Sequence, residues 1–197
     1  FGNAKYPSLS EPCPDYNGLT FAETFGDMAF TLYSHAVSLR DLGCTQSPMN
    51  AWITLNGVET LPLRMERHVE NAQKVAGFLQ QHPSVEWVSY AGLSSSPYYQ
   101  LAQKYLQGKA GSVFTFGIRG GYESGLRLLE KVELFSHVSN IGDSRSLILH
   151  PASTTHRQLS DEQRLTAGAG PEVIRLSVGI ESAEDLIADL EQALEGL

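Results

Sequence analysis

The sequence predicts an α/β chain whose larger part is an α+β domain, a sheet covered by helices on one face. Three observations carry that expectation. After His82-Pro83, strand-like and helix-like stretches alternate with few residues between them, and short connections between elements of mixed kind favour one sheet with helices packed against it. The run Ile174-Arg-Leu-Ser-Val-Gly-Ile180 alternates apolar with polar or bare positions, the period of a half-buried strand. Ahead of His82, apolar residues recur at helical spacing instead.

In chain order, Phe1–Gly18 holds three prolines among Gly, Asn and Ser without periodicity and reads as an irregular connection. Because residue 1 is Phe rather than Met, the sequence reads as the C-terminal part of a longer polypeptide, with an expression scar or a missing leader as the alternative. A helix is expected from Thr20, with Phe21, Phe25, Ala29, Leu32, Ala36 and Leu39 on one face and Gly43 as its stop. A second starts at Ser47-Pro48 and is bent or broken by Gly57 and Pro62, so that a separate segment runs from about Leu63 to Gln81. In that segment Met65, Val69, Ala72, Ala76 and Leu79 point inward, and Arg64, Glu66, Arg67, Glu70 and Lys74 form the solvated side. Strands follow at 85–90, 112–118, 135–139, 147–150 and 173–178, and helices at 97–106 and 122–131. Ser160 with Gln163 makes a capping box, and Ser182 with Asp185 opens a last helix with Leu186, Ile187, Leu190 and Leu194 inward.

Composition narrows the function. The 197 residues are 42% hydrophobic, enough for a buried core, and carry a formal charge of −8 with pI near 5.2. Without a basic block, nucleic acid is not the expected partner. No apolar run approaches the roughly 18 residues of a membrane span. Cys13 and Cys44 match no metal or redox spacing and fit a reducing cytoplasm.

The residues with chemical character lie between Asn140 and Glu181. On the expected strand, Ile174, Leu176, Val178 and Ile180 face one way and Arg175, Ser177 and Gly179 the other, placing a guanidinium beside two nearly bare positions that leave room for a ligand to approach. Such a planar fork suits a carboxylate or phosphate held by two parallel hydrogen bonds. An Arg on the solvated face of a sheet, paired with an acid, has the same pattern. His150 and His156 stand six apart with no third ligand, so no metal site is expected. Ser153, His156 and Asp161 lack the nucleophile-elbow context of a hydrolase, and Gly120-Gly121 reads as a turn.

Four ordered motifs carry a resemblance: Arg64-Met-Glu-Arg-His-Val-Glu-Asn71, Asn140-Ile-Gly-Asp143, His150-Pro-Ala-Ser-Thr-Thr-His156 and Arg175-Leu-Ser-Val-Gly-Ile-Glu181. Over nearly the whole chain it resembles the C-terminal half of the pyridoxal-phosphate (PLP) enzymes of cysteine and methionine metabolism, nearest their O-acetylhomoserine sulfhydrylase branch. The resemblance implies that residues 1–61 are helices left over from the large PLP-binding domain of a fold type I, aminotransferase-like enzyme, and 62–197 its small C-terminal α+β domain. It implies γ-replacement on O-acetylhomoserine by sulfide or a small thiol, with the γ-synthases and γ-lyases, or a non-catalytic interaction module, as alternatives. Arg175 falls on the family's substrate-carboxylate arginine. Asn140 falls where the γ-lyases and γ-synthases have a serine that also touches the carboxylate. Thr155 falls near the substrate, and Ser153 shapes the same loop. The Schiff-base lysine and the cofactor contacts lie upstream of Phe1, and none of Lys5, Lys74, Lys104, Lys109 or Lys131 has the matching context. The implied partners are an amino-acid substrate, a thiol nucleophile and the chain's own N-terminal half, in a homotetramer of the cytoplasm.

Overall fold

A computed structural model describes residues 3–197. Phe1 and Gly2, where the expected irregular connection begins, lie outside the described residues. The chain divides into two compact units, the first ending at Val58 and the second running from Glu59 to Leu197.

The first unit is helical but more broken than its periodicity suggests. The expected irregular stretch contains α1 (Pro7–Ser10) and a 3-10 turn at Pro14–Tyr16. The single helix expected from Thr20 to Gly43 is α2 (Phe21–Phe25), a 3-10 turn at Gly26–Met28, α3 (Ala29–Tyr33) and a π-helical stretch at Ser34–Asp41. Gly26, at φ +50°, interrupts it, since glycine occupies that region without the clash other residues meet. Thr20 stands at the N-cap position, yet its side chain makes no capping bond. Phe21 and Ala29 still point inward and bury with Leu9, and Phe21 meets Tyr33 edge-on at 5.1 Å between centroids. Then α4 (Pro48–Glu59) starts where expected, the Ser47 hydroxyl accepting from the Asn50 amide at 3.2 Å. Gly57 does not break it, because glycine in a helix interior costs only about 1 kcal/mol. The interruption falls at Thr60. Pro62 lies in the first turn of α5 (Leu61–Gln81), where its missing N–H is no loss, so the helix starts ahead of Leu63.

In the second unit α5 leads into β1 (Val85–Ser89), α6 (Tyr99–Leu106), β2 (Val113–Ile118), α7 (Gly121–Lys131), β3 (Ser136–His137), β4 (Leu147–Leu149), α8 (Asp161–Thr166), β5 (Val173–Ser177) and α9 (Ala183–Leu194). The strands form one sheet in the order β1-β2-β5-β4-β3, antiparallel except for β3 beside β4. Phe114 and Phe116 of β2, Ile148 of β4 and Ile174 and Leu176 of β5 pack under Ala72, Val75, Ala76 and Leu79 of α5, Leu128 of α7, and Leu186, Leu190 and Leu194 of α9. Helices thus cover one sheet face, as the sequence predicts. The reciprocal capping box of Ser160 and Gln163 is formed at the start of α8. On the opposite sheet face a cross-strand row runs Ser89, Thr115, Arg175, Leu149.

One buried side chain of α9 fixes the approach to β3. The Asp189 carboxylate accepts the amides of Glu133 (2.8 Å), Leu134 (2.9 Å) and Phe135 (3.1 Å), pinning the segment that leaves α7. Replacing Asp189 by Ala strands three main-chain donors, and an uncompensated buried donor costs about 1–3 kcal/mol. Urea unfolding of Asp189→Ala is expected to show a loss of about 3 kcal/mol or more.

Candidate active site

Arg175 stands in the middle of β5, with Thr115 opposite it on one side and Leu149 on the other. It is half-buried, and its Nη2 donates to the main-chain carbonyl of Asn140 at 3.2 Å. Among the described residues it enters no ion pair with an acid. The pairing of a solvated strand arginine with a carboxylate therefore does not describe this residue. A guanidinium carries five N–H donors in a fixed fork, and one of them engages Asn140.

The two bare positions beside Arg175 are not open space. Ser177 is buried and its hydroxyl accepts the Gly142 amide at 3.3 Å. A side chain at Gly179 would come within 2.4 Å of the Ser144 carbonyl oxygen and 2.3 Å of a Glu181 carboxylate oxygen. These small residues thus make room for the Asn140–Ser146 loop rather than for a ligand, a correction to the alternation reading. Asn140 is brought to Arg175 through its carbonyl, while its side-chain oxygen accepts the Ile141 amide at 2.9 Å.

The other two candidates lie across Leu149. A cleft of about 480 Å³ is lined by His137, Ser139, Leu149, Ser153, Thr154, Thr155 and Arg157. Thr155 is exposed in it, its hydroxyl 2.9 Å from His156 Nδ1. Ser153 is committed elsewhere, its hydroxyl 3.0 Å from His150 Nδ1. Thr154 likewise donates to the His150 carbonyl at 2.8 Å. The fully buried His150 is the post on which this loop hangs. Its Nε2 lies 2.9 Å from the Pro171 carbonyl, which can only accept, so Nε2 carries the hydrogen and Nδ1 receives the Ser153 hydroxyl. Arg157 and His137 escaped the sequence reading, because only the fold brings β3 to the loop after β4.

The five lysines are all exposed. Lys74 pairs with Glu70 at 3.0 Å and Lys109 with Glu66 at 3.2 Å, Lys131 donates to the Glu195 carbonyl at 2.6 Å, and Lys5 and Lys104 lie over Tyr6 and Tyr105. Among the described residues no group of His, Cys, Asp or Glu could hold a metal ion, and no helix is long and apolar enough to cross a membrane.

A family model for Cys/Met metabolism PLP-dependent enzymes matches residues 18–195. The chain belongs to that family. It is 50% identical over 190 residues to O-acetyl-L-homoserine sulfhydrylase 1 of Thermus thermophilus, covering 96% of this chain and 45% of that protein. It is 49% identical over 206 residues to O-acetyl-L-homoserine sulfhydrylase of Leptospira meyeri, covering 100% of this chain and 47% of that one. A crystal structure assigned as an O-acetylhomoserine (thiol)-lyase of Campylobacter jejuni, with N'-pyridoxyl-lysine-5'-monophosphate, superposes with a TM-score of 0.82 at 43% identity, covering 98% of this chain and 46% of that one. The chain thus spans a little under half the length of these relatives.

Burial holds the His150 imidazole below the usual histidine value of 6.5; His137 and Arg164 add to the effect and the Pro171 carbonyl opposes it. As pH falls through about 6.5 the unfolded chain takes up a proton that folded His150 refuses, so stability drops and then levels off below the folded value. A melting series from about pH 8 to about pH 5 is expected to show this decline, and His150→Gln is expected to flatten it.

Proposed function

We propose that this chain is the substrate-carboxylate-holding part of a PLP-dependent O-acetyl-L-homoserine sulfhydrylase. Such an enzyme replaces acetate at Cγ of O-acetylhomoserine by sulfide or methanethiol, giving homocysteine or methionine. The observation that carries this reading is Arg175, half-buried on a central strand, anchored by one hydrogen bond and paired with no acid among the described residues. Identities of 49–50% to two O-acetyl-L-homoserine sulfhydrylases support the branch.

The residues of this chain do not by themselves fit the cofactor, since every lysine is exposed and engaged on the surface. The reading therefore assigns cofactor attachment and the acid–base steps to polypeptide matching the upstream part of the relatives. Residues 1–61 belong in this reading to the cofactor domain and 62–197 to the substrate-side domain, within a cytoplasmic homotetramer. Helix α4 supports a further partner. Met49, Trp52, Ile53, Leu55 and Val58 are each more than half exposed, and a helix apolar all round is built to be covered.

The contribution of this chain is orientation. With one N–H directed at the Asn140 carbonyl, the remaining fork of Arg175 takes the substrate carboxylate. Thr155 and the cleft beside Leu149 border the substrate's other end. Holding the carboxylate fixes rotation about Cα, so that the bond to be broken is aligned before reaction. Positioning of this kind removes several kcal/mol from a barrier.

The test uses the PLP-loaded protein that contains this chain. Arg175→Lys keeps the charge and loses the fork, and hydrogen bonds to charged groups are worth about 1.5–3 kcal/mol. KM for O-acetylhomoserine is expected to rise about 10- to 100-fold, and an unchanged KM would reject the clamp. Offered sulfide and cysteine together, the protein is expected to consume sulfide. A preference for cysteine would make it a cystathionine γ-synthase, and no turnover with cofactor bound would favour the interaction module.

A further inference from the structure

One buried polar cluster has no part in the clamp as described, and it joins three segments remote in sequence. His68 and Asn71, both buried in α5, reach the chain leaving β5. His68 Nδ1 lies 2.6 Å from the Val178 carbonyl, and Asn71 Nδ2 donates to the carbonyls of Gly179 at 3.0 Å and Glu181 at 2.8 Å. From this platform the Glu181 side chain turns back to Ser146. One carboxylate oxygen accepts the Ser146 amide at 2.6 Å and the other its hydroxyl at 2.9 Å. The same Ser146 hydroxyl accepts the Gly179 amide at 2.7 Å, and Ser144 accepts the Ile180 amide at 2.9 Å. All of this fastens one end of the loop whose other end, the Asn140 carbonyl, receives Arg175.

We propose that Glu181 is a positioning residue for the substrate carboxylate: by gripping both donors of Ser146 it fixes the Asn140–Ser146 loop, and through the Asn140 carbonyl it sets the direction of the Arg175 guanidinium. The proposal rests on the reading of Arg175 as the carboxylate clamp. Arg175 needs such a guide, because an arginine side chain has about 2 kcal/mol of rotamer entropy to lose, and its hydrogen bond among the described residues is to a carbonyl on a loop of irregular backbone. The anchor is only as well placed as the loop.

The carboxylate is specific to this task. The Ser146 amide can only donate, and its hydroxyl, which accepts the Gly179 amide, directs its proton at the second carboxylate oxygen, so two acceptor oxygens match both groups. In Glu181→Gln one orientation sets the NH2 against the Ser146 amide, donor against donor, and the other makes the Ser146 hydroxyl accept the NH2 and turn its own proton away, so the shape is kept while one Ser146 donor loses its acceptor. Gly179 belongs to the same device, since a Cβ there would meet Glu181 Oε2 at 2.3 Å.

Two variants, Glu181→Gln and Ser146→Ala, are compared with Arg175→Lys. In the protein that contains this chain, amide exchange at Ser146, Gly179 and Ile180 is expected to quicken in both. In the PLP-loaded protein both are expected to raise KM for O-acetylhomoserine about tenfold with kcat within about twofold. Turnover of the carboxamide analogue, which offers Arg175 no carboxylate, is expected to stay unchanged. Added to Arg175→Lys, Glu181→Gln is expected to cost nothing further, because two residues acting as one unit are not additive. Equal losses on both substrates, additive losses, unchanged exchange, or unchanged KM in the single variants would overturn the proposal. If Arg175→Lys itself leaves KM unchanged, the clamp fails and the positioning role with it. If Arg175→Lys impairs binding and Glu181→Gln does not, only the positioning role fails.

Discussion

The second unit depends on β5 being paired along both edges while its two faces do different work. Hydrogen bonds to β2 and β4 leave the strand little freedom to shift, and register in a strand with one buried face is strongly specified. A slip of one residue would carry Ile174 and Leu176 out of the core and bring Arg175 into it. The burial that stabilises the fold therefore also decides which face Arg175 occupies. The strand ends where Val178, Gly179 and Glu181 are taken over by hydrogen bonds from α5, so the same helix that covers the sheet governs how the chain leaves it.

Around this strand, polar groups are used to place loops that have no regular structure of their own. Asp189 gathers the amides before β3, His150 holds the loop carrying Ser153 and Thr155, and Glu181 holds the loop carrying Asn140. Each spans dozens of residues or closes a tight turn, and each is a charged or imidazole group with several partners, the kind of hydrogen bond that is worth most when buried. Among the described residues, His68 Nε2 and Asn71 Oδ1 of the α5 cluster are buried without a hydrogen-bond partner.

Much of the fold was legible. The alternation of Ile174 to Val178, the inward leucines of α9 and the capping box at Ser160 each report on chemistry within a few residues, and each is formed. Where local signals compete, the pattern along the chain misleads. The apolar face from Phe21 to Leu39 suggests one helix, yet Gly26 breaks it; Gly57 and Pro62 both suggest a break, yet only the proline coincides with a helix start. In the helix before β1, His68 and Asn71 lie among charged residues that do face solvent, and nothing local marks the two as buried.

What the sequence by itself determined is the set of periodic elements, the alternation that puts Arg175 on the face away from Ile174, and, through ordered motifs, the family. Those depend on spacing along the chain, which the chain carries with it. Only the tertiary structure decided that Asn140 meets Arg175 through a carbonyl rather than a side chain, that Ser177 and Gly179 accommodate a loop, and that Glu181 closes on Ser146. Main-chain groups and bare positions look alike in every sequence, and their partners are fixed only when β4, β5 and α5 are packed together.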